Sequence, residues 1–196
     1  MDKLIVVGPS TPKSLYSNYR VINTTSRSET RSRELSPFLV GPIPLYNNYV
    51  SKNMENAWQY SKVYPGFGDE NGPFDIYFDW AKKGWNKQYA DRYPMGRNKI
   101  PLYCYWGSSK HLGYIEAKKR IYVPLYAQAV QKTEAFKILA AIVAKNINIA
   151  LWDFDGYCHE SKNMSLSDVA KSTTLKMGHA FVLFALLKNK LNELTI

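Results

Sequence analysis

The chain has 196 residues, and its hydrophobic content of 45% and charged content of 21% are ordinary for a globular protein. Its net charge of +10 and its 15 Tyr and 5 Trp residues are unusual. A surface this basic favours an anionic partner, namely nucleic acid, nucleotide phosphates or anionic lipid, although the charge would also serve solubility alone. The longest apolar run, HAFVLFALL, is too short to span a membrane, so we expect no membrane partner.

The cysteines and the first ten residues predict a cytoplasmic protein. Cys104 and Cys158 lie far apart and in no spacing that is typical of metal ligands. The segment MDKLIVVGPS has too short an apolar run for a secretory signal. A reducing compartment is therefore the simpler expectation.

Residues 1–35 differ in composition from the rest and are predicted to form a basic N-terminal extension. LIVV predicts a strand that ends at a Gly-Pro pair. The polar stretch NTTSRSETRSRELS, with Arg27, Arg31 and Arg33, predicts a mobile loop. A basic arm that contacts a phosphate backbone is the functional alternative. The prolines of GPIP then open the main domain, residues 36–196.

The first helix is predicted over residues 54–64 and is ended by the Pro-Gly pair that follows. Its spacing places four chemically different side chains on one face: Glu55, Trp58, Gln59 and Lys62. A carboxylate beside an indole suits a general acid or base, and the amide and ammonium suit a phosphorylated or sugar-bearing ligand. Alternatively, Glu55 is only a first-turn acid that the helix dipole favours.

The next two segments predict a helix and then a loop. FDIYFDWAKKGWNKQYADRYP has helical periodicity that Gly84 interrupts. MGRNKIPLYCYWGSSKH predicts a loop with a short strand, in which Arg97 and Trp106 belong to a basic and aromatic mixture that suits phosphates and stacked bases. An aromatic patch packed under the loop is the alternative.

The longest helical region, beginning at LGYIEAKKRIYVPLY, contains Pro124, which is predicted to kink or restart the helix. Lys118 and Arg120 precede this proline and are candidates to bind a phosphate. Solvated surface charge is the alternative for these cations.

The segment LWDFDGYCHE predicts a short strand that ends in a glycine turn. Asp153 and Asp155 are expected on the same face, where either carboxylate would bind a ribose hydroxyl or activate water. A pair of turn-capping aspartates is the alternative. His159 and Glu160 follow, but the spacing matches no calcium or zinc loop, so no metal site is predicted.

The last helix is predicted over residues 177–191 and is apolar nearly all round, so we expect it to be buried, with His179 as a core histidine. Together these segments predict an α+β fold that is mainly α-helical, in one compact domain with a few short strands.

The order of these motifs resembles that of the NADAR domains, which are mainly helical N-glycosidases that act on ADP-ribose and related ribosyl phosphates. Their first motif is a helix with Glu-His-x-x-Gln-x-x-Lys, and Glu55, Gln59 and Lys62 fall at the matching offsets, with Asn56 in place of the histidine. The segments AKKRIYVPLYAQAVQKTEAFKIL, LWDFDGY and KMGHAFVLFALL are similar to later parts of the family pattern. The resemblance covers about residues 36–190.

The resemblance implies hydrolysis of an ADP-ribosyl or nucleotide-like N-glycosidic bond, with nucleic acid as one carrier of the substrate and without a cofactor. Glu55 is then the main catalytic carboxylate, and Asp153 or Asp155 orients the ribose or the water. The residues expected to bind substrate are Trp58, Gln59, Lys62, Arg97, Trp106, Lys118 and Arg120.

Two alternatives from other functional classes use the same side chains. One is a non-catalytic module that binds nucleic acid or nucleotides, and the other is a protein that sequesters a nucleotide signal. Both predict that ligand is retained without product.

Overall fold

The computed structural model describes residues 2–107 and 111–195. Its strands are β1 (Leu4–Val7), β2 (Arg20–Asn23), β3 (Ile43–Pro44), β4 (Val50–Ser51), β5 (Lys62–Val63), β6 (Gly68–Asp69), β7 (Gly72–Pro73), β8 (Tyr103–Cys104) and β9 (Ile149–Trp152). Its α-helices are α1 (Met54–Gln59), α2 (Asp75–Trp85), α3 (Tyr114–Ala117), α4 (Val123–Val130), α5 (Glu134–Val143), α6 (Leu166–Lys171) and α7 (His179–Leu187). A π-helical turn spans Lys118–Tyr122, and 3-10 helices span Lys13–Leu15, Arg31–Leu35, Tyr46–Asn48, Glu160–Lys162 and Leu191–Leu194. The fold is α+β and mainly helical, which confirms the predicted class.

The chain divides into two units. The first contains the residues up to Ser36 and those from Tyr126 onward, and the second is Pro37–Leu125. The predicted boundary between residues 35 and 36 lies next to the first crossing between the units. The N-terminal segment, however, belongs to the same unit as the C-terminal part of the chain.

The first unit is built on a parallel sheet in the order β1-β9-β2. Every residue of β1 is buried, as are Ile149, Ala150 and Leu151 of β9. Strands buried on both faces appear in a sequence as continuous apolar runs. Both of these strands were therefore recognisable as strands, and the structure confirms them.

The N-terminal segment is part of this sheet, since β1 and β2 both pair with β9. The stretch predicted to be a mobile loop forms hydrogen-bonded turns and the 3-10 helix Arg31–Leu35. Thr30 caps that helix by accepting a hydrogen bond from the amide of Ser32, and Leu35 is fully buried. These contacts anchor the stretch to the first unit.

Helix α7 is buried over its first seven residues, which confirms the predicted burial. It is shorter than predicted, because the chain leaves the helix after Leu187 and Asn189 adopts a left-handed backbone conformation with a φ of 55°. Asparagine tolerates this conformation better than most residues do.

The second unit is held together by aromatic side chains. Its paired strands are all short and antiparallel: β3 with β4, β5 with β8, and β6 with β7. Tyr60, Tyr77, Trp85 and Tyr103 form the centre of its core. Most of the predicted loop that surrounds β8 is described, but residues 108–110 of it lie outside the described residues.

Helix α1 ends at Gln59, so the predicted extension to residue 64 was wrong. The chain instead enters β5, which pairs with β8, and the Ser61 carbonyl accepts a hydrogen bond from the amide of Tyr105. Ser61 also donates its hydroxyl to the Trp58 carbonyl at the end of the helix. This pairing joins residues distant in sequence, which helical periodicity cannot detect.

Helix α2 continues through Gly84, so the predicted interruption there was wrong. A Cβ atom at this position would overlap the ring of Tyr60, a core residue. The glycine therefore allows an aromatic ring to lie directly on the helix backbone.

The expected irregularity at Pro124 takes the form of the π-helical turn that precedes it. Proline has no amide hydrogen and its ring crowds the carbonyl four residues earlier, which disfavours a regular α-helical turn. The amide of Val123 instead bonds the carbonyl of Lys118, five residues back. The wider turn accommodates the proline, and α4 resumes regular geometry.

Within the part of the chain that the structure describes, no helix has both the length and the apolar character needed to span a membrane.

We expect Gly84→Ala to lower the free energy of unfolding by about 1–3 kcal/mol, because the added methyl group overpacks the contact with Tyr60. Urea unfolding followed by circular dichroism measures this change. Lys83→Ala, at the exposed neighbouring position, is the control and should change stability by less than about 0.5 kcal/mol. A Gly84→Ala variant as stable as the wild type would contradict the packing described.

Candidate functional site

A chain of hydrogen bonds joins the three residues that match the Glu-x-x-x-Gln-x-x-Lys pattern. Gln59 Nε2 donates to Glu55 Oε1 at 2.8 Å, and Lys62 Nζ donates to Gln59 Oε1 at 2.7 Å. Glu55 and Gln59 are each only 7% exposed. Although Lys62 lies beyond the end of α1, its long side chain reaches back to the helix. The amide of Gln59 thus holds one carboxylate oxygen in a fixed position.

Aromatic rings surround this polar chain. The ammonium of Lys62 lies 5.0 Å from the ring centroid of Trp58, a favourable cation–π distance. Trp58 in turn contacts Tyr122 edge-on at 5.5 Å and Tyr114 at 6.4 Å between ring centroids. The polar groups are therefore set in an aromatic surrounding that strengthens their mutual electrostatic interaction.

Lys118 joins the same group of residues from the π-helical turn. It is 2% exposed, and its ammonium lies 4.8 Å from the centroid of the Tyr114 ring. Burial, helped by the neighbouring charge of Lys119, lowers its pKa to about 8. A π-helical turn is uncommon and occurs often at functional sites. We call the seven residues of this group the Glu55 cluster: Glu55, Trp58, Gln59, Lys62, Tyr114, Lys118 and Tyr122.

The other predicted cations and the other predicted tryptophan have different surroundings. Arg120 is exposed and forms an ion pair with Glu116 at 3.0 Å. Arg97 is exposed and lies 5.7 Å from the ring centroid of Tyr93. Trp106 packs edge-on against Tyr46 at 5.1 Å. Of the predicted substrate-binding residues, Gln59 and Lys62 are thus joined to Glu55 through hydrogen bonds. Trp58 lies against Lys62, and Lys118 is linked to Trp58 through Tyr114.

Asn56 occupies the position where the NADAR pattern has histidine. It is fully buried, and its side chain forms hydrogen bonds with the backbone of the loop at residues 87–91. Its Nδ2 donates to the carbonyls of Lys87 and Tyr89 at 3.3 and 3.0 Å. Its Oδ1 accepts the amide of Asp91 at 2.8 Å. These bonds explain why an amide suits this position, since it supplies donors and an acceptor together.

In the first unit, Asp153 forms a buried ion pair with His179. Its Oδ2 lies 3.1 Å from His179 Nδ1 and accepts the amide of Ala180 at 3.2 Å. His179 Nε2 lies 2.9 Å from the carbonyl oxygen of Thr24, so a ring that carries both protons donates to two acceptors. A Cβ at Gly178 would overlap the Asp153 carboxylate, so this glycine lets α7 begin directly at Asp153.

This arrangement supports a structural role for Asp153, because the pair joins the end of β9 to the start of α7. Asp153 and Asp155 were expected on the same face of a strand, but β9 ends at Trp152, before both residues. Asp153 is buried, whereas Asp155 is half-buried. Both lie in the first unit, whereas Glu55 lies in the second. His179 is confirmed as a buried histidine, but sequence reasoning missed its ion pair, for which the apolar run around it gives no signal.

Tyr114 and Tyr122 were also missed as members of the Glu55 cluster. Their signal in the sequence is their position on either side of Lys118, but the π-helical turn changes which residues share a face. Among residues 2–107 and 111–195, no group of three or more His, Cys, Asp or Glu side chains is arranged to hold a metal ion.

Acid should weaken the first unit through Asp153. Burial acts to raise the pKa of this carboxyl, but the His179 charge and the hydrogen bonds from His179 and Ala180 hold it below its ordinary value of 3.8. The Asp153 carboxyl therefore binds a proton more readily in the unfolded chain than in the folded protein. The stabilisation that ionised Asp153 contributes is present above pH 3.8 and is lost as the pH falls through the lower pKa of the folded state.

We expect Asp153→Asn to lower the free energy of unfolding by about 3–5 kcal/mol at pH 7, because it removes the buried carboxylate that accepts hydrogen bonds from His179 and from the Ala180 amide. The difference from the wild type should shrink below pH 4, as measured by urea unfolding across pH. Asp79→Asn, at an exposed position of α2, is the control and should change stability by less than about 0.5 kcal/mol. A difference that does not depend on pH would contradict the ion pair.

Lys118 should titrate far below an ordinary lysine, since burial disfavours its charged form. In protein labelled with ¹³C at the lysine side chains, the signal that disappears in Lys118→Arg should shift with a midpoint near pH 8. A midpoint above pH 10 would show that the ammonium is solvated rather than buried.

Comparison with known proteins places the chain in a family. Residues 9–172 match a family that is described as "Family of unknown function (DUF6939)". No curated protein and no solved structure matches the chain significantly. The resemblance to NADAR domains therefore remains a hypothesis. Because the match spans most of its 196 residues, the chain belongs to the family of unknown function DUF6939.

Proposed function

We propose that this protein is an N-glycosidase that hydrolyses an ADP-ribosyl or nucleotide-like N-glycosidic bond. The observation that carries the proposal is the hydrogen-bonded chain from Lys62 through Gln59 to Glu55 against the ring of Trp58. It uses the three residues on which the NADAR resemblance depends, and it holds a nearly buried carboxylate in a defined orientation.

The proposed reaction needs a fixed carboxylate. The bond between the ribose anomeric carbon and the base nitrogen breaks, and its electron pair leaves with the base. The sugar then resembles an oxocarbenium ion, which a nearby carboxylate stabilises. Water bonds to the anomeric carbon, Glu55 takes a proton from this water, and the proton passes to the departing base.

The cations and aromatic rings of the Glu55 cluster suit the phosphate groups and the nucleobase of such a substrate. Lys62 and Lys118 provide ammonium groups that interact favourably with phosphate. The rings of Trp58 and Tyr114 provide surfaces on which a nucleobase stacks. The net charge of +10 supports a substrate carried on DNA or RNA, because a basic surface attracts the phosphate backbone.

The test is incubation of the pure protein with ADP-ribosylated DNA, ADP-ribosylated guanosine and ribosylamino pyrimidine phosphates, with mass spectrometry of the products. We expect release of a base or of ADP-ribose by the wild type. Glu55→Gln should slow this release by about 10²–10⁴-fold, because a general acid–base group typically contributes that factor. The variant keeps the side-chain shape and an oxygen for Gln59 Nε2.

Glu116→Gln is the matched control, since Glu116 belongs to the same unit but has a partly exposed side chain that pairs with Arg120. It should retain full activity, and circular dichroism should show that both variants are folded. Equal release by Glu55→Gln and the wild type would refute the assignment. Ligand that both proteins retain without any product would indicate a non-catalytic binding module.

A further inference from the structure

The first unit contains a groove of about 530 Å³ that lies outside the residues of the proposed function. It is lined by all of β2, by residues 27–32 and by one face of α5. We call it the β2–α5 groove. Its volume falls within the range of small-molecule sites. Its position follows from the fold, because the 3-10 helix Arg31–Leu35 packs against both α5 and β2.

One part of the lining is a strand edge. β2 is the last strand of the sheet and pairs only with β9 in the part of the chain that is described. The amides of Arg20 and Thr24 bond to the carbonyls of Asn148 and Trp152 on the β9 side. Since alternate residues of a parallel strand face its partner, the amide and carbonyl of Val21 point away from β9. They are therefore available to a bound molecule.

A second part of the lining is apolar. Helix α5 contributes Ile138, Leu139 and Ile142, and Ile138 is 41% exposed. Val21 adds a side chain that is 46% exposed. Apolar side chains left in contact with water favour a ligand that covers them.

The hydroxyl groups in the groove are already engaged with one another. Ser28, Thr30 and Ser32 form three mutual contacts of 2.9 to 3.1 Å, and Ser32 donates to the carbonyl of Asn23 at 2.6 Å. Ser32 gives its hydrogen to Asn23, and the two remaining hydroxyl hydrogens are taken up within the three mutual contacts, so none is left to donate to a ligand. The network therefore fixes the turns, and donors for a ligand come from other residues.

Arginines supply these donors. Arg20, Arg27 and Arg31 line the groove against a single acid, Glu29, which leaves a net lining charge of two positive units. Arg20 is exposed and its side chain forms no ion pair within the described residues. The guanidinium of Arg27 lies 5.3 Å from the Phe154 ring centroid, and Arg31 uses only Nε to bind a carboxylate of its own helix.

We propose that the β2–α5 groove binds a small anionic amphiphile, a molecule with a carboxylate or phosphate group on an aromatic or aliphatic body. The guanidinium groups and the Val21 amide hold the anion, since arginine matches both carboxylate and phosphate geometry. The apolar face of α5 covers the body. This site does not depend on Glu55.

The probes are 2-naphthyl phosphate, 2-naphthoate and neutral 2-naphthol, titrated into the full chain by isothermal calorimetry at about 0.15 M salt, where weak surface attraction is largely screened. We expect at least one of the two anions to bind at least tenfold more tightly than 2-naphthol. The stronger anion identifies the phosphate or the carboxylate as the better match. Glu55→Gln should bind these probes as the wild type does.

Three variants locate the site. Arg20→Gln should weaken binding of the anions about tenfold, and Ile138→Ser should weaken all three probes, because each removes one side of the groove. Both positions are exposed, so folding should be preserved. Arg33→Gln is the matched control, since Arg33 is exposed in the same segment as Arg31 but does not line the groove.

Equal affinity for 2-naphthol and the anions would overturn the proposal, as would an absence of binding. An Arg33→Gln effect as large as that of Arg20→Gln would also overturn it, because it would show attraction to the basic surface in general.

Discussion

Helix α1 buries all six of its residues, including a carboxylate and two amides. Burial of such groups is costly unless each is hydrogen-bonded, so the surrounding structure must supply partners. Gln59 supplies a donor to Glu55, Lys62 supplies one to Gln59, and the loop at residues 87–91 supplies partners for Asn56. The short β5 strand contributes to these hydrogen bonds, because it places Lys62 within reach of Gln59 on the helix. The candidate site and the local fold of the second unit therefore depend on the same bonds.

The buried charged side chains of the two units have different partners. In the first, Asp153 and His179 neutralise each other and join two elements, which leaves a stabilising pair with no evident chemical task. In the second, the buried ammonium of Lys118 lies over an aromatic ring with its pKa lowered to about 8 by burial. A cation with a perturbed pKa in the same cluster of residues as a fixed carboxylate is more typical of a functional site than a neutralised pair is. This contrast is the reason for assigning the main role to Glu55 rather than to Asp153.

Sequence reasoning succeeded where the physical signal was local. β1 and β9 are continuous apolar runs, and α7 is apolar on every face, so burial alone defined them. The end of α1 was missed because β5 pairs with β8, about forty residues further along the chain. Gly84 was wrongly predicted to interrupt α2. A glycine is needed there because the ring of Tyr60 packs against the helix backbone, a tertiary contact that the local sequence does not indicate.

The candidate sites were likewise predictable only where their residues are close together in the sequence. Glu55, Gln59 and Lys62 could be grouped from their spacing, because one helix and the residues just after it bring them together. Lys118 and Arg120 looked equivalent in the sequence, yet one is buried and the other is paired with Glu116 at the surface. Residues two apart on a helix do not share a face, but only the packing of the second unit determines which of the two is buried. The β2–α5 groove was not predicted at all, since its walls come from segments more than a hundred residues apart.

The measurement that tests the central claim most directly is the amount of product formed by a limiting quantity of wild-type protein with excess ADP-ribosylated guanosine. If Glu55 belongs to a hydrolytic site, free guanosine and ADP-ribose accumulate together and exceed the protein concentration many times over. Capture of at most about one ligand per chain, with no free guanosine, would contradict the account and indicate a non-catalytic binding protein.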